Sequence, residues 1–246
     1  MLDKILANLK RQTWIKILLQ NSNVYLVGGS VRDAFLNKPI KDVDLVVEGL
    51  SMTRIQDLIG DYGKTSVVGE SFKVIKFRPH GHVGEDYDIA VPRKDRKVGT
   101  GHKGFEVVTE GVDIFGDLKR RDFTVNSIAI DIKTGRMLDP FNGMRDLKAK
   151  TLRATDKTAF TEDALRIIRA IQFAARFRFS IESETLTMMR QHSHLLKEIS
   201  GERIHEEFEK ILNKNGSTKL AFELMWKSDI DKALFDNKFV SHNFDS

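Results

Sequence analysis

The chain has 246 residues, with 40 Lys and Arg against 35 Asp and Glu, a formal net charge of +5, and no cysteine. That length makes one large domain or two small ones, the lack of Cys removes disulfide frameworks, zinc ribbons and cysteine nucleophiles, and no apolar run approaches the ~18 residues of a membrane span. The first twenty residues carry Asp3 among their Lys and Arg and no signal-like apolar core, so a cytoplasmic protein is expected. The modest positive balance points only weakly to polyanionic partners.

Taken in chain order, an amphipathic helix is expected over Leu2 to Leu19. From Asn23 to about Lys150, apolar runs alternate with turn residues. Val24 to Val27, Val43 to Val47, Val74 to Phe77, Tyr87 to Val91 and Ser127 to Ile130 read as strands mixed with helices, an α/β or α+β arrangement. From Thr161 onward Gly and Pro almost vanish, and Ala164, Ile167, Ile168, Ile171 and Ala175 recur at helical spacing. Thr161, Glu162 and Asp163 supply a capping hydroxyl and first-turn carboxylates ahead of that stripe. The expected organisation is therefore a mixed unit over 1–150, a helical unit over 151–235, and a polar, frayed tail over 236–246.

Val24-Tyr25-Leu26-Val27-Gly28-Gly29-Ser30-Val31-Arg32-Asp33 reads as a strand, a Gly-Gly turn and a helix start. Such a turn lets backbone N–H groups approach phosphate closely, and the helix N-terminus adds partial positive charge; a plain structural turn would use the same glycines. Asp42 and Asp44 follow on one face of a strand. Neighbouring carboxylates repel unless a cation sits between them, and hard oxygen ligands suit magnesium, which keeps waters and substrate phosphates in its shell. Asp88, in another expected strand, is the candidate third acid; solvated edge residues are the alternative for all three. Arg120-Arg121-Asp122 reads as a surface charge cluster or as a phosphate fork beside a carboxylate. Pro92 to Gly104 is basic and glycine-rich and reads as a solvated, mobile loop. The seven His show no paired ligand spacing for zinc. Phe173, Phe177 and Phe179 follow the helical stripe and read as core.

Five blocks stand in order between Val24 and Leu212. They are the Gly28 to Asp33 turn with Asp42 and Asp44; Arg120-Arg121-Asp122-Phe123-Thr124-Val125-Asn126; Leu138-Asp139-Pro140-Phe141 with Gly143 and Asp146-Leu147; Glu162-Asp163-Ala164-Leu165-Arg166; and Glu202-Arg203-Ile204 with Glu206, Glu207 and Lys210. In this series the chain resembles the head and neck of class II tRNA nucleotidyltransferases and bacterial poly(A) polymerases, which add CCA or A to RNA 3′ ends. The resemblance implies an α+β nucleotidyltransferase head with a mixed β-sheet and flanking helices, then an all-helical neck.

The resemblance also implies roles. Asp42 and Asp44, with Asp88, would be catalytic and hold Mg2+. Gly29 and Arg32 would meet the triphosphate, Gly28, Ser30, Arg121 and Asn126 would bind the nucleotide, and Asp122 would meet the ribose. Asp163 and Arg166, three apart on an expected helix, would read the base: a carboxylate accepts from the amino groups of cytosine and adenine, and a guanidinium donates to their ring nitrogens. Guanine and uracil reverse that order and would leave groups unpaired, at ~1–3 kcal/mol each. Arg169 would support them, whereas Gln172 stands where relatives often carry another arginine. The basic loop tilts the reading toward ATP use, because CC-adding relatives are shortened there.

The expected activity is transfer from CTP or ATP to the 3′ end of RNA, tRNA foremost, with poly(A) addition as the runner-up. A nucleotide- or RNA-binding module without turnover is the alternative of another class. Relatives continue past the neck into domains that hold tRNA, so the chain is expected to be either a truncated piece of such a protein or a minimal form whose RNA grip comes from a partner or a second copy of the chain.

Overall fold

In the computed structural model of the chain, which describes residues 1–40, 42–69, 73–97, 105–213 and 217–235, two helices stand where one was expected. They are α1 (Leu2–Arg11) and α2 (Thr13–Asn21), with Gln12 extended between them at φ −70° and ψ 130°. Leu6 and Leu9 are buried in the first, and Trp14, Ile15 and Leu18 in the second. On one continuous helix Leu9 and Trp14 would point about 140° apart. The break at Gln12 removes that mismatch and lets both apolar stripes be buried.

The chain continues through β1 (Asn23–Val27), α3 (Gly28–Phe35), β2 (Val43–Glu48), α4 (Met52–Ile59), β3 (Gly63–Val68), β4 (Val74–Pro79) and β5 (Tyr87–Ala90). Then come β6 (Lys94–Lys97), β7 (Phe105–Val108), α5 (Ile114–Lys119), β8 (Ala129–Asp131), β9 (Met137–Leu138) and α6 (Gly143–Lys148). Seven strands form one mixed sheet in the order β3-β4-β5-β2-β1-β8-β9, parallel between β2 and β5 and antiparallel elsewhere. Val24, Tyr25, Leu26 and Val27 of β1 are all buried, as a central strand covered on both faces requires. On one face Tyr25, Val27, Val46 and Ala129 pack with Ile114 and Leu118 of α5. Trp14 of α2 meets Phe77 and Tyr87 edge-on, with ring centroids 4.9 Å away in each case. Each large side chain so buried contributes roughly 1.5–3 kcal/mol.

Within the expected basic loop, Lys94–Lys97 pair antiparallel with Phe105–Val108, Lys97 opposite Phe105. The strand former is Phe-Glu-Val-Val, whose aromatic and β-branched residues favour an extended chain; its charged partner strand gives no periodic signal of its own. The rest of that loop, 98–104, and the tail 236–246 lie outside the described residues.

Register across the sheet positions the chemistry. Asp44 on β2 is paired with Asp88 on β5, and Asp88 with Lys76 on β4. Residues opposite one another in a ladder project to the same face, so these three form a row.

Among the described residues, those of Met1–Val98 and Phe105–Leu147 form one compact unit and those from Lys148 onward the other. The second contains β10 (Thr151–Leu152), α7 (Ala159–Glu162), α8 (Leu165–Phe177), β11 (Ser180–Ile181), α9 (Ser183–His192), α10 (Gly201–Asn213), α11 (Thr218–Lys227) and α12 (Ile230–Phe235). It is helical as expected, with one exception: β10 and β11 form a parallel ladder, Thr151 opposite Ser180 and Leu152 opposite Ile181. That ladder pairs backbone groups which an irregular segment would otherwise bury unmatched. Helix α8 is the centre of the unit, with Ile167, Ile168, Ile171, Phe173, Ala174 and Phe177 buried.

Candidate functional site

The Gly-Gly turn sits where β1 ends and α3 begins. Gly28 has φ +64°, a region that costs an L-residue roughly 1–2 kcal/mol. A Cβ on Gly28 would lie 2.6 Å from Arg121 Nη1 and 3.8 Å from Asp44 Oδ2, and one on Gly29 would lie 3.5 Å from Arg32 Nη2. Two guanidinium groups and one carboxylate thus flank a turn that has no side chains of its own. Gly28→Ala should therefore cost roughly 1–2 kcal/mol of stability and displace Arg121 besides. Urea unfolding measures the loss of stability.

Ser30 serves the acids. Its hydroxyl donates to the Asp42 carbonyl at 2.8 Å and accepts from the Asp44 N–H at 3.0 Å, so the helix start fixes the backbone of the two acids. Asp42, just ahead of β2, is exposed, and Asp44 is partly buried. Burial pushes the Asp44 carboxyl up to about 6; Arg121 opposes that shift, and the neighbouring charges of Asp88 and Asp42 add to it. A desolvated carboxylate beside others is stabilised by a cation, and the set offers the hard oxygens that magnesium prefers while leaving room for waters and phosphate. The residues fit such an ion as a pair. Among the described residues no group of three or more His, Asp or Glu is arranged to hold a metal.

Asp88, expected as a third ligand, pairs with Lys76. Nζ donates to Oδ2 at 2.8 Å and lies 2.6 Å from Oδ1. The Lys76 ammonium is held charged above its ordinary range by its hydrogen bond to Asp88, against a smaller opposing effect of burial. Nothing in the sequence marked Lys76, because an alternating strand shows which face a residue takes but not which strand lies beside it.

Arg32 is buried and committed. Nη1 donates to Asn126 Oδ1 at 2.6 Å and Nε to Asp33 Oδ1 at 2.8 Å. Asn126 Nδ2 in turn donates to Asp122 Oδ1 at 2.9 Å, which also accepts the Phe123 N–H at 2.8 Å. The structure thus brings Gly28, Gly29, Ser30, Arg32, Asp42, Asp44, Arg121, Asp122 and Asn126 into one connected region of the first unit. Arg121 itself is held by Asp117, a residue the sequence reading passed over. Its signal was the i, i+3, i+4 spacing of Asp117, Arg120 and Arg121 at a helix end.

In the second unit Asp163 is not on a helix. It is extended, φ −147° and ψ 101°, between α7 and α8. Its Oδ1 accepts the Leu165 N–H at 3.2 Å and its Oδ2 a bond from Arg203 Nη2 at 3.0 Å. An Asp side chain that takes a nearby backbone N–H competes with continued helix, so the start expected at Thr161 falls two residues past Asp163, at Leu165. Arg166, in the first turn of α8, donates to the Ala159 carbonyl at 3.1 Å and lies 3.4 Å from Glu162 Oε2. Arg169 lies 3.6 Å from the buried Glu207 and 5.3 Å over the Phe173 ring. Gln172 is buried within the unit, as are Phe173, Phe177 and Phe179.

The first unit thus combines a mixed sheet that carries Asp44 and Asp88, a Gly-Gly helix start and two guanidinium groups. Residues 24–153 match the family described as "Poly A polymerase head domain", and residues 178–238 the one described as "Probable RNA and SrmB- binding site of polymerase A". The chain belongs to the poly A polymerase head-domain family.

It is similar to a "Multifunctional CCA protein" of Stenotrophomonas maltophilia (strain K279a), 41% identical over 195 residues, covering 77% of this chain and 45% of that one. Among solved structures, a CCA-adding enzyme in an apo form superposes with a TM-score of 0.83 at 31% identity, covering 97% of this chain and 56% of that one. A Thermotoga maritima CCA-adding enzyme complexed with tRNA superposes with a TM-score of 0.76 at 29% identity, covering 98% and 57%. The chain spans about half the length of the curated relatives it matches, 45% and 49%. No described helix is long and apolar enough to cross a membrane.

Proposed function

We propose that this chain carries the catalytic head and neck of a template-independent RNA nucleotidyltransferase. The reaction joins the 3′ oxygen of an RNA, tRNA foremost, to the α-phosphorus of CTP or ATP; the bond to the β-phosphate breaks, and pyrophosphate leaves. The observation that carries the reading is the Gly28-Gly29 turn with Arg121, Arg32 and Asp44 on its flanks. A bare turn at a helix start accepts phosphate oxygens close to backbone N–H groups, and Arg121 supplies charge there. Asp122, which accepts a hydrogen bond from Asn126, would accept from a ribose hydroxyl and so favour ribonucleotides. Asp42 and Asp44 would hold Mg2+, which when bound neutralises charge building on the reacting phosphate. Asp163 and Arg166 would read the pairing edge of the base, with Arg203 and Arg169 in support.

A second reading, poly(A) addition, is favoured by the description of the head family. One experiment separates these readings. The chain is incubated with Mg2+, labelled CTP or ATP, and tRNA ending before CCA, after C or after CC. Addition that stops at CCA supports the first reading, and an A tail that keeps growing supports the second. Nucleotide binding without incorporation on any of these RNAs would show a binding module instead.

A further inference from the structure

Asp117 is fully buried, yet it faces two arginines whose side chains are each 18% exposed. Its Oδ1 accepts from Arg120 Nε at 3.0 Å and Nη2 at 2.7 Å; its Oδ2 accepts from Arg121 Nε at 3.2 Å and Nη2 at 2.8 Å. Burial alone would push this carboxyl up, but Arg121 and then Arg120 outweigh that and hold it below the usual carboxylate range. A buried carboxylate between guanidiniums is a poor way to gain stability, since well-packed apolar residues of similar volume often serve as well. Its distinctive product is orientation.

That orientation is firmly anchored. Asp117 stands on α5, whose start is capped by Asp113 Oδ1 accepting from the Gly116 N–H at 2.9 Å. The helix is pinned by Glu48 Oε1 accepting the Ile114 N–H at 2.7 Å and by Ile114 and Leu118 in the sheet core. Arg121 spends its Nε and Nη2 edge on Asp117, and its Nη1 lies at the Gly28 turn. We infer that Asp117 is a positioning residue: by holding one edge of the Arg121 guanidinium, it presents Nη1 to phosphate at the Gly28-Gly29 turn, while Arg120 balances its second oxygen. This rests on reading Arg121 as a nucleotide contact.

The test is calorimetric binding of CTP and ATP to the unaltered chain and to Asp117→Asn, Arg121→Ala, Arg121→Lys and the Asp117→Asn, Arg121→Ala double variant, with thermal unfolding of each. Asp117→Asn should raise the nucleotide Kd about tenfold or more, by analogy with the loss seen when the partner that orients a metal ligand is removed. Arg121→Lys should bind about as poorly as Arg121→Ala, because a lysine keeps the charge but cannot share two edges between Asp117 and the turn. The double variant should lose little beyond Arg121→Ala, since both act through one contact.

A purely structural Asp117 would lower the unfolding temperature and the competent fraction while leaving Kd unchanged in the protein that remains folded, and that result overturns the inference. Full rescue by Arg121→Lys overturns it as well, and decides the matter if Asp117→Asn does not fold. Failure of the unaltered chain to bind either nucleotide would overturn the nucleotide reading of the site, and this inference with it.

Discussion

Asp44→Asn should abolish nucleotide transfer and, at neutral pH, make the protein more stable. Burial raises the Asp44 carboxyl from 3.8 to about 6, with Asp88 and Asp42 adding repulsion. A carboxyl raised on folding contributes stability that is fully present below about 3.8 and is lost as pH rises through about 6. Above that pH its ionised form weighs against the fold, by about 1–3 kcal/mol at 1.36 kcal/mol per unit. Asparagine keeps the shape and the backbone link to Ser30 while removing the charge, so the unfolding temperature at pH 7 should rise. Transfer should fall by about 10³-fold or more, because the charge stabilisation a catalytic cation supplies amounts to several kcal/mol.

Magnesium gives an independent sign. It should raise the unfolding temperature of the unaltered chain by binding the folded form, and should do little for Asp44→Asn. Asp42 is exposed, so Asp42→Asn should lose transfer without the gain in stability. Equal unfolding temperatures for Asp44→Asn and the unaltered chain across pH 5 to 8 would show that Asp44 is not strained by its surroundings.

The difference between these two acids was not legible in the sequence. Apolar runs between turn residues were enough to find β1, β2, β4 and β5, although β2 begins at Val43, one residue past Asp42. Alternation along a strand reports only which face a residue takes. It does not report the neighbouring strand. The Lys76–Asp88 pair depends on β4 lying beside β5, a topological fact. β3 escaped for a related reason: as an edge strand with mostly exposed residues it has no apolar alternation to read. Helical periodicity failed in the opposite way at the start of the chain and near Asp163, where a continuous polar and apolar pattern hides a break that only burial of two separate stripes or a side-chain hydrogen bond to the backbone explains. Asp117 was visible as a helical i, i+3, i+4 triplet, but its complete burial, which gives the triplet its meaning, comes from packing of α5 on the sheet.

Asp163, proposed to read the base, is where sequence and structure differ most usefully, and Asp163→Ala should relax nucleotide choice. As the acceptor for the amino group of C or A, Asp163 would be set against a carbonyl oxygen in U or G, and each such mismatch costs ~1–3 kcal/mol, or about 5- to 150-fold in discrimination. Removing the carboxylate removes that penalty, so kcat/KM should fall for CTP and ATP while the ratios against UTP and GTP shrink by about that factor. The structure adds a complication and its remedy. Asp163 Oδ1 also accepts the Leu165 N–H at the start of α8, and losing such a hydrogen bond costs roughly 1 kcal/mol. Serine can restore that backbone bond but carries no charge for Arg203 to hold. Asp163→Ser should therefore regain the stability lost in Asp163→Ala while remaining as permissive toward UTP and GTP. Selectivity returning together with that backbone bond would mean that the orientation of α8, and not the carboxylate, sets the choice of base; selectivity unchanged in both variants would remove Asp163 from base reading altogether.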